Sequence, residues 1–251
     1  MTHAYIVCTT PRSGSTLLCR MLRATGVAGA PASLFFGTSL AAWRDRMALA
    51  PSDAPATEQL REVLAAAQTL GRGGTEVFAL RQQWHSFAFL RAQLALLFPT
   101  AQTDLARLTA AFGPVRFVHL AREDKLRQAV SYLLARQTGL WHRRADGTEL
   151  ERTAAPQSPT YSRAAITETL TLLSQWDRNW QQWFDRQGIA PIPLTYEALA
   201  QAPQARVQDL LTQLNLPAQA ATGIAPDVAR IADPRSQQWM DRFCRESGGA
   251  R

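Results

Sequence analysis

The sequence predicts an α/β domain with a central parallel sheet flanked by helices, and three observations carry that prediction. Four short segments rich in β-forming residues are each followed by a stretch of helical periodicity, the alternation that parallel crossover units require. The first of them runs straight through a Gly/Ser-rich turn into a helix. The chain has 251 residues, 46% hydrophobic and 19% charged, which is enough apolar material for one large core. One domain spanning residues 1–251 is expected.

Ala4–Thr9 carries Tyr5, Ile6 and Val7 unbroken by charge, the pattern of a strand buried on both faces. It ends in Thr10-Pro11-Arg12-Ser13-Gly14-Ser15, after which Leu17, Leu18, Met21 and Leu22 recur at helical spacing until Gly26 stops them. Further strands are expected at Glu76–Arg81, Val115–Ala121 and Ala190–Thr195, with helices at 57–70, 86–98, 123–137, 162–187 and 203–215. In the 162–187 helix, Ile166, Leu170, Leu173, Trp176, Trp180 and Trp183 fall three and four residues apart, a stripe that reads as core rather than as a sugar-stacking surface. Residues 143–160 are polar, with Gly147, Pro156 and Pro159, and are expected to form a long surface excursion that borders a substrate.

Net charge is +7, and it is unevenly placed. Residues 1–44 hold four arginines and no carboxylate; residues 116–152 hold eight basic and five acidic side chains; the remaining stretches balance. An anionic partner is implied, with two points of contact. Of the 27 basic residues 26 are arginine, which suits bidentate phosphate contacts and is equally explained by codon usage. The positive segments are short and lack interleaved aromatics, so nucleic-acid binding is disfavoured. Three cysteines without ligand spacing disfavour a disulfide framework or zinc site, and reduced thiols are expected. No apolar run reaches the roughly 20 residues of a membrane helix, and the first residues lack a basic leader, so a cytoplasmic location is expected.

A Gly-rich turn between a buried first strand and a helix aims several backbone N–H groups and the positive helix end at one point, a site for a phosphate-like anion. Pro11-Arg12-Ser13-Gly14-Ser15-Thr16 fits that geometry, and no Lys-Ser/Thr pair follows a GxxxxG frame, so a magnesium-dependent nucleotide triphosphatase is disfavoured. The alternative is an ordinary capped helix start with an incidental arginine. Arg122 ends the third strand and Ser131 falls nine residues later on the following helix, so an arginine fork and a hydroxyl can both face the carboxyl edge of the sheet. Here the alternative is a solvated cluster of Arg122, Glu123 and Asp124 at the helix start.

Pro11-Arg12-Ser13-Gly14-Ser15-Thr16-Leu17-Leu18 resembles the 5′-phosphosulfate loop of sulfotransferases that use 3′-phosphoadenosine 5′-phosphosulfate (PAPS), in the arginine form of the bacterial trehalose 2-sulfotransferase-like family. The segment from His119 to Ser131 resembles that family's 3′-phosphate motif, and Gln137-Thr138-Gly139-Leu140-Trp141 continues in the same way. Weaker echoes occur at Val77–Trp84, Thr195–Leu199 and Arg230–Phe243. The resemblance implies a P-loop NTPase/sulfotransferase-like fold, PAPS as co-substrate without a metal, and a small-molecule or glycolipid acceptor; a homodimer is compatible with it. It assigns Arg12, Ser13, Gly14, Ser15, Thr16, Arg122 and Ser131 to PAPS, with Arg12 also stabilising the departing bridge oxygen. The rival of a different class is a PAPS-binding protein that keeps the fold without catalysis.

One segment departs from the family. Where these enzymes carry a Pro-x-Glu stretch whose glutamate is taken as general base, this chain has Pro31-Ala32-Ser33, and the first carboxylate in the sequence is Asp45. A serine cannot take the acceptor proton as a carboxylate can. His85 and His142, next to Trp84 and Trp141 in family-like segments, are the substitute candidates, with ordinary half-buried histidines as the alternative.

Overall fold

The computed structural model describes residues 4–228 and 234–248. Strand β1 (Ala4–Thr9) leads into α1 (Ser15–Ala24), followed by α2 (Leu40–Arg46), α3 (Ala56–Arg72), β2 (Phe78–Gln83), α4 (Trp84–Leu97), α5 (Asp104–Phe112), β3 (Val115–Ala121) and α6 (Lys125–Thr138). A hairpin, β4 (Leu140–Arg143) and β5 (Glu149–Arg152), precedes α7 (Arg163–Gln187), β6 (Ile192–Thr195), α8 (Tyr196–Gln201), α9 (Pro203–Gln213) and α10 (Pro234–Gly248). The main sheet has four strands in the order β2-β1-β3-β6, all parallel. It is the expected α/β architecture, with helices on both faces.

Central strand β1 explains why. Strand side chains alternate between faces, and Ala4, Ile6 and Cys8 join one apolar cluster with α3, α4, α5 and α7, while Tyr5 and Val7 join the other with α1 and α9. All six residues are buried, so an uncharged run is what this position demands. Four of the six residues of the α7 stripe are core, as expected: Ile166, Leu173, Trp180 and Trp183 are buried, while Leu170 and Trp176 are half-buried and Trp176 lies against His85 of the cleft. Trp180 packs against Trp84, Phe87, Trp183 and Phe184, and its indole N–H donates to the Thr9 carbonyl at 2.9 Å. The longest helix is thereby pinned to the last residue of the first strand.

Several expectations shift. β2 starts at Phe78 rather than Glu76, because the Thr75 hydroxyl accepts from Val77 N–H and holds a turn there. β6 shortens to Ile192–Thr195 and keeps Pro193, which an edge strand tolerates. The excursion at 143–160 contains β5 and the end of β4, joined through Asp146-Gly147, where Gly147 has φ of 85° and Thr148 N–H donates to the Asp146 carboxylate at 2.9 Å. The resemblance at Arg230–Phe243 falls partly outside the described residues; from Pro234 it is helix, and Trp239 and Met240 pack on α6 and α7. Cys8 and Cys19 are buried free thiols and Cys244 is an exposed one. Among the described residues no helix is long and apolar enough to cross a membrane.

Replacing Trp180 by Phe keeps the ring stack and removes the donor to the Thr9 carbonyl. Unfolding in urea should show a loss of about 1–3 kcal/mol. An unchanged midpoint would mean that this hydrogen bond contributes nothing to the fold.

Candidate active site

The turn after β1 is braced from below before it meets any ligand. Thr9 Oγ1 donates to the Leu120 carbonyl at 2.8 Å and lies 2.5 Å from Ser13 Oγ, and all three residues are fully buried. Gln128, buried on α6, donates to Thr10 Oγ1 at 2.9 Å and to the Pro11 carbonyl at 2.7 Å. Ser13 therefore stabilises the turn, and its hydroxyl is not free to hold an anion. Two turn residues take left-handed backbone conformations, Arg12 with φ of 61° and Gly14 with φ of 81°. A non-glycine residue in that region is strained and persists only where its surroundings enforce it.

Gly14 is the N-cap of α1 and makes no side-chain cap, so the first-turn N–H groups keep their outward donors. A Cβ on Gly14 would lie 2.4 Å from Cδ2 of Tyr196, whose ring closes the back of the turn. The capped-helix alternative therefore does not describe this turn.

Three guanidinium groups converge on it without an acidic partner. Arg12 donates from Nε to Ser131 Oγ at 3.0 Å and from a terminal nitrogen to the Trp141 carbonyl. Arg122 donates to the Arg12 carbonyl at 3.0 Å, sits 4.5 Å over the Tyr196 ring, and leaves its buried Nε with no partner. Arg81, at the carboxyl end of β2, donates to Ser33 Oγ at 2.8 Å and to Thr16 Oγ1 at 2.9 Å. Among the described residues none of the three has a carboxylate within ion-pair distance, whereas Arg20, Arg44, Arg91, Arg127 and Arg152 do. Burial, then the neighbouring Arg122 charge, lowers the Arg12 pKa to about 10. Burial likewise lowers that of Arg122. Both stay charged at neutral pH, so each remains a cation seeking an anion.

Glu123 and Asp124 do not form a surface cluster with Arg122. Asp124 caps α6 by accepting from Arg127 N–H at 2.9 Å, and Glu197 accepts from the N–H groups of Glu123 and Asp124 at 3.1 and 3.2 Å. Arg122 points inward, and only 7% of it is exposed.

Three cavities meet at Arg12. One of about 280 Å³ is lined by Arg12, Gly14, Ser15, Thr16, Ser33 and Arg81, with His85, His142, Glu151 and the aromatic walls Phe36, Tyr132 and Trp141. A second, of about 230 Å³, holds Gly14, Thr16, Arg122 and Tyr196, and a third, of about 220 Å³, holds Ser131, Thr138, Arg143 and Arg152. The ten residues singled out from the sequence thus gather at the carboxyl edge of the sheet. Arg122 and Ser131, however, face different cavities, with Arg12 bonded to both.

Both histidines border the cavity that contains Ser33. His85 lies against Trp176 and Phe36 with its Nδ1 buried and unpartnered, and burial lowers its pKa. His142 Nε2 is 3.0 Å from Thr16 Oγ1; burial, then the charges of Arg12, Arg81 and Arg20, lowers its pKa to about 3. Its contact with Glu151 at 3.5 Å therefore joins a neutral imidazole to a carboxylate and is not an ion pair at neutral pH.

Sequence reasoning did not single out Arg81, Glu151 or Tyr196 as site residues. Arg81 was legible as a cation at the carboxyl end of a buried strand. Glu151 was legible only through Asp146-Gly147, a hairpin signal inside a polar stretch. Nothing local marks Tyr196 as the neighbour of Gly14, 182 positions away. Among the described residues no three His, Cys, Asp or Glu side chains gather as a metal site would require.

The profile of a family described as Stf0 sulphotransferase matches residues 4–246. The chain is 31% identical over 262 residues to a trehalose 2-sulfotransferase of Mycobacterium tuberculosis, covering 97% of this chain and 95% of that protein. It is also 31% identical over 267 residues to a trehalose 2-sulfotransferase of Mycolicibacterium smegmatis, with the same coverage. A solved sulfotransferase domain from the curacin biosynthetic pathway aligns with 99% of this chain and 98% of its own length at a TM-score of 0.51 and 14% identity, a likeness of fold.

Gly14→Ala would place a methyl group against Tyr196 at a backbone angle that alanine resists. It should lower stability by about 1–3 kcal/mol and abolish anion binding at the turn. Thermal unfolding and titration with adenosine 3′,5′-bisphosphate check this; wild-type behaviour in both would show that the turn does not need glycine.

Proposed function

The chain belongs to the Stf0 sulphotransferase family, and from that premise we propose that it moves the sulfuryl group of PAPS to a hydroxyl of a carbohydrate or glycolipid acceptor. The observation that carries the donor assignment is the set of three unpaired guanidinium groups around an uncapped helix start. The residues present suit a nucleotide with phosphate at two positions: an orphan Arg122 Nε, a glycine cradle and a helix start with no side-chain cap.

The N–H groups of Gly14, Ser15 and Thr16 at the helix start would hold the 5′ end and Arg122 the 3′-phosphate; Ser131, which faces another cavity, would act on the nucleotide through the Arg12 guanidinium that it holds. Sulfuryl transfer, like phosphoryl transfer, asks the protein to align donor and acceptor and to stabilise charge on the departing oxygen. Arg12 is proposed for that charge, being a cation at the junction of all three cavities. Phe36, Tyr132 and Trp141, beside the hydrogen-bonding groups of Ser33, Arg81 and His142, suit a sugar, which has apolar faces and many hydroxyls. The two relatives bear trehalose in their names, so trehalose is the first acceptor to try. Ser33 at the expected glutamate position argues for a different acceptor or a different base. The reading as a non-catalytic binder is not favoured, because the family is one of transferases.

Calorimetry with adenosine 3′,5′-bisphosphate tests the donor site, and transfer of labelled sulfate from PAPS across a sugar panel tests the reaction. No heat of binding at millimolar ligand would overturn the reading. Arg12→Ala should reduce kcat by about 10²- to 10³-fold with a smaller loss of bisphosphate affinity, because departing charge appears mainly in the transition state. Equal losses would argue against that role. Arg122→Ala should weaken adenosine 3′,5′-bisphosphate by about 10- to 100-fold and adenosine 5′-phosphate far less. Equal losses for the two ligands would mean that Arg122 acts only by holding the Arg12 carbonyl.

A further inference from the structure

An acceptor hydroxyl must lose its proton as its oxygen bonds to sulfur, and the wall where a carboxylate was expected carries Ser33, whose hydroxyl already accepts from Arg81. Among the residues lining that cavity a single carboxylate is present, and it comes from a different element, the β4–β5 hairpin: Glu151. We propose that Glu151, carried in by the β4–β5 hairpin, is the general base of this enzyme, with His142 as its positioning residue. The inference rests on the sulfuryl-transfer reading above.

Three features of the hairpin support it. Glu151 pairs directly opposite His142 in the antiparallel register, and the register is irregular on both sides of His142. Such irregularities re-aim side chains next to functional sites. Second, the neighbouring acid Glu149 is paired with Arg152, whereas Glu151, among the described residues, has no arginine or lysine within ion-pair distance. It is not part of a structural ion pair. Third, Glu151 Oε2 lies 3.5 Å from His142 Nε2, which is itself 3.0 Å from Thr16 Oγ1 on the first turn of α1. The carboxylate oxygen and the Thr16 hydroxyl therefore meet at one nitrogen, His142 Nε2, so Glu151 stands beside the proposed sulfuryl site, where an acceptor oxygen would have to lie.

The histidines suit the base role less well. His85 has its Nδ1 buried between aromatic rings, and His142 is surrounded by Arg12, Arg81 and Arg20 and is weakly basic. In the proposed step the acceptor O–H proton passes to a Glu151 carboxylate oxygen and the acceptor oxygen bonds to sulfur. The bond from sulfur to the 5′-phosphate oxygen breaks with its electron pair left on that oxygen, giving a sulfate ester and adenosine 3′,5′-bisphosphate. Half of the Glu151 side chain is open to solvent, which gives the proton a way out.

The test compares Glu151→Gln, His142→Gln and wild type in release of label from PAPS to trehalose, to glucose and to water, alongside calorimetry with adenosine 3′,5′-bisphosphate. Glu151→Gln should lower turnover by about 10²- to 10⁴-fold. Its bisphosphate affinity should hold or tighten by up to about fivefold, because an anionic ligand loses a like-charged neighbour. His142→Gln should show a smaller fall in turnover. Ser33→Glu in the Glu151→Gln background should recover turnover by supplying a carboxylate from a different element. Turnover of Glu151→Gln within about threefold of wild type overturns the assignment, as does a loss of bisphosphate affinity equal to the loss of rate. A wild type that binds the bisphosphate but passes label to neither sugar nor water also overturns it. A wild type that does not bind the bisphosphate overturns the donor reading instead.

Discussion

Guanidinium charge left unneutralised at the end of the central strand is the constraint to which the rest of the structure answers. Arg12, Arg81 and Arg122 crowd one helix start; burial opposes the charged forms of Arg12 and Arg122, and the Arg122 charge further opposes that of Arg12. Holding cations there without counter-ions costs free energy that the remaining fold has to offset. The offset is visible below the turn, in the Thr9–Ser13 and Gln128 hydrogen bonds and in Trp180 of α7, which anchors the Thr9 carbonyl. Other buried arginine charge is tied to acid, as Arg44 is to Glu62. Arg12 and Arg122 are buried cations without such a partner.

The same charge organises the chemistry around it. With burial as the larger cause, it holds His142 neutral, so that imidazole can accept or donate a hydrogen bond but carries no charge into the cavity. It also makes a carboxylate in that cavity tolerable, because Glu151 faces a positive field. Arg81 is bonded to two hydroxyls, Ser33 and Thr16, so the acid of this cavity is Glu151 of the hairpin.

Arg12 links the parts. Its backbone is held by Arg122 from β3, its side chain by Ser131 on α6 and by the Trp141 carbonyl on β4, and its left-handed conformation turns it across the mouth of three cavities. Elements far apart in sequence are thus coupled through one strained residue. A shift of the hairpin would be felt at the turn without any change in β1 or α1.

Much of this was legible in the sequence, where the controlling physics is local. Burial on both faces requires the uncharged run of Ala4–Thr9, helical periodicity gives α7 and its core stripe, and the Pro11–Thr16 turn announces an anion site because backbone geometry and residue type coincide there. The hairpin was hidden because its strands are short and charged, so that only Asp146-Gly147 marks them. The tertiary structure alone decided which arginines lack acids, that Tyr196 seats against Gly14, and that Glu151 shares a cavity with Ser33. Those facts depend on distances between segments separated by tens to hundreds of residues, and no local pattern encodes such distances until the sheet order has brought the strand ends together.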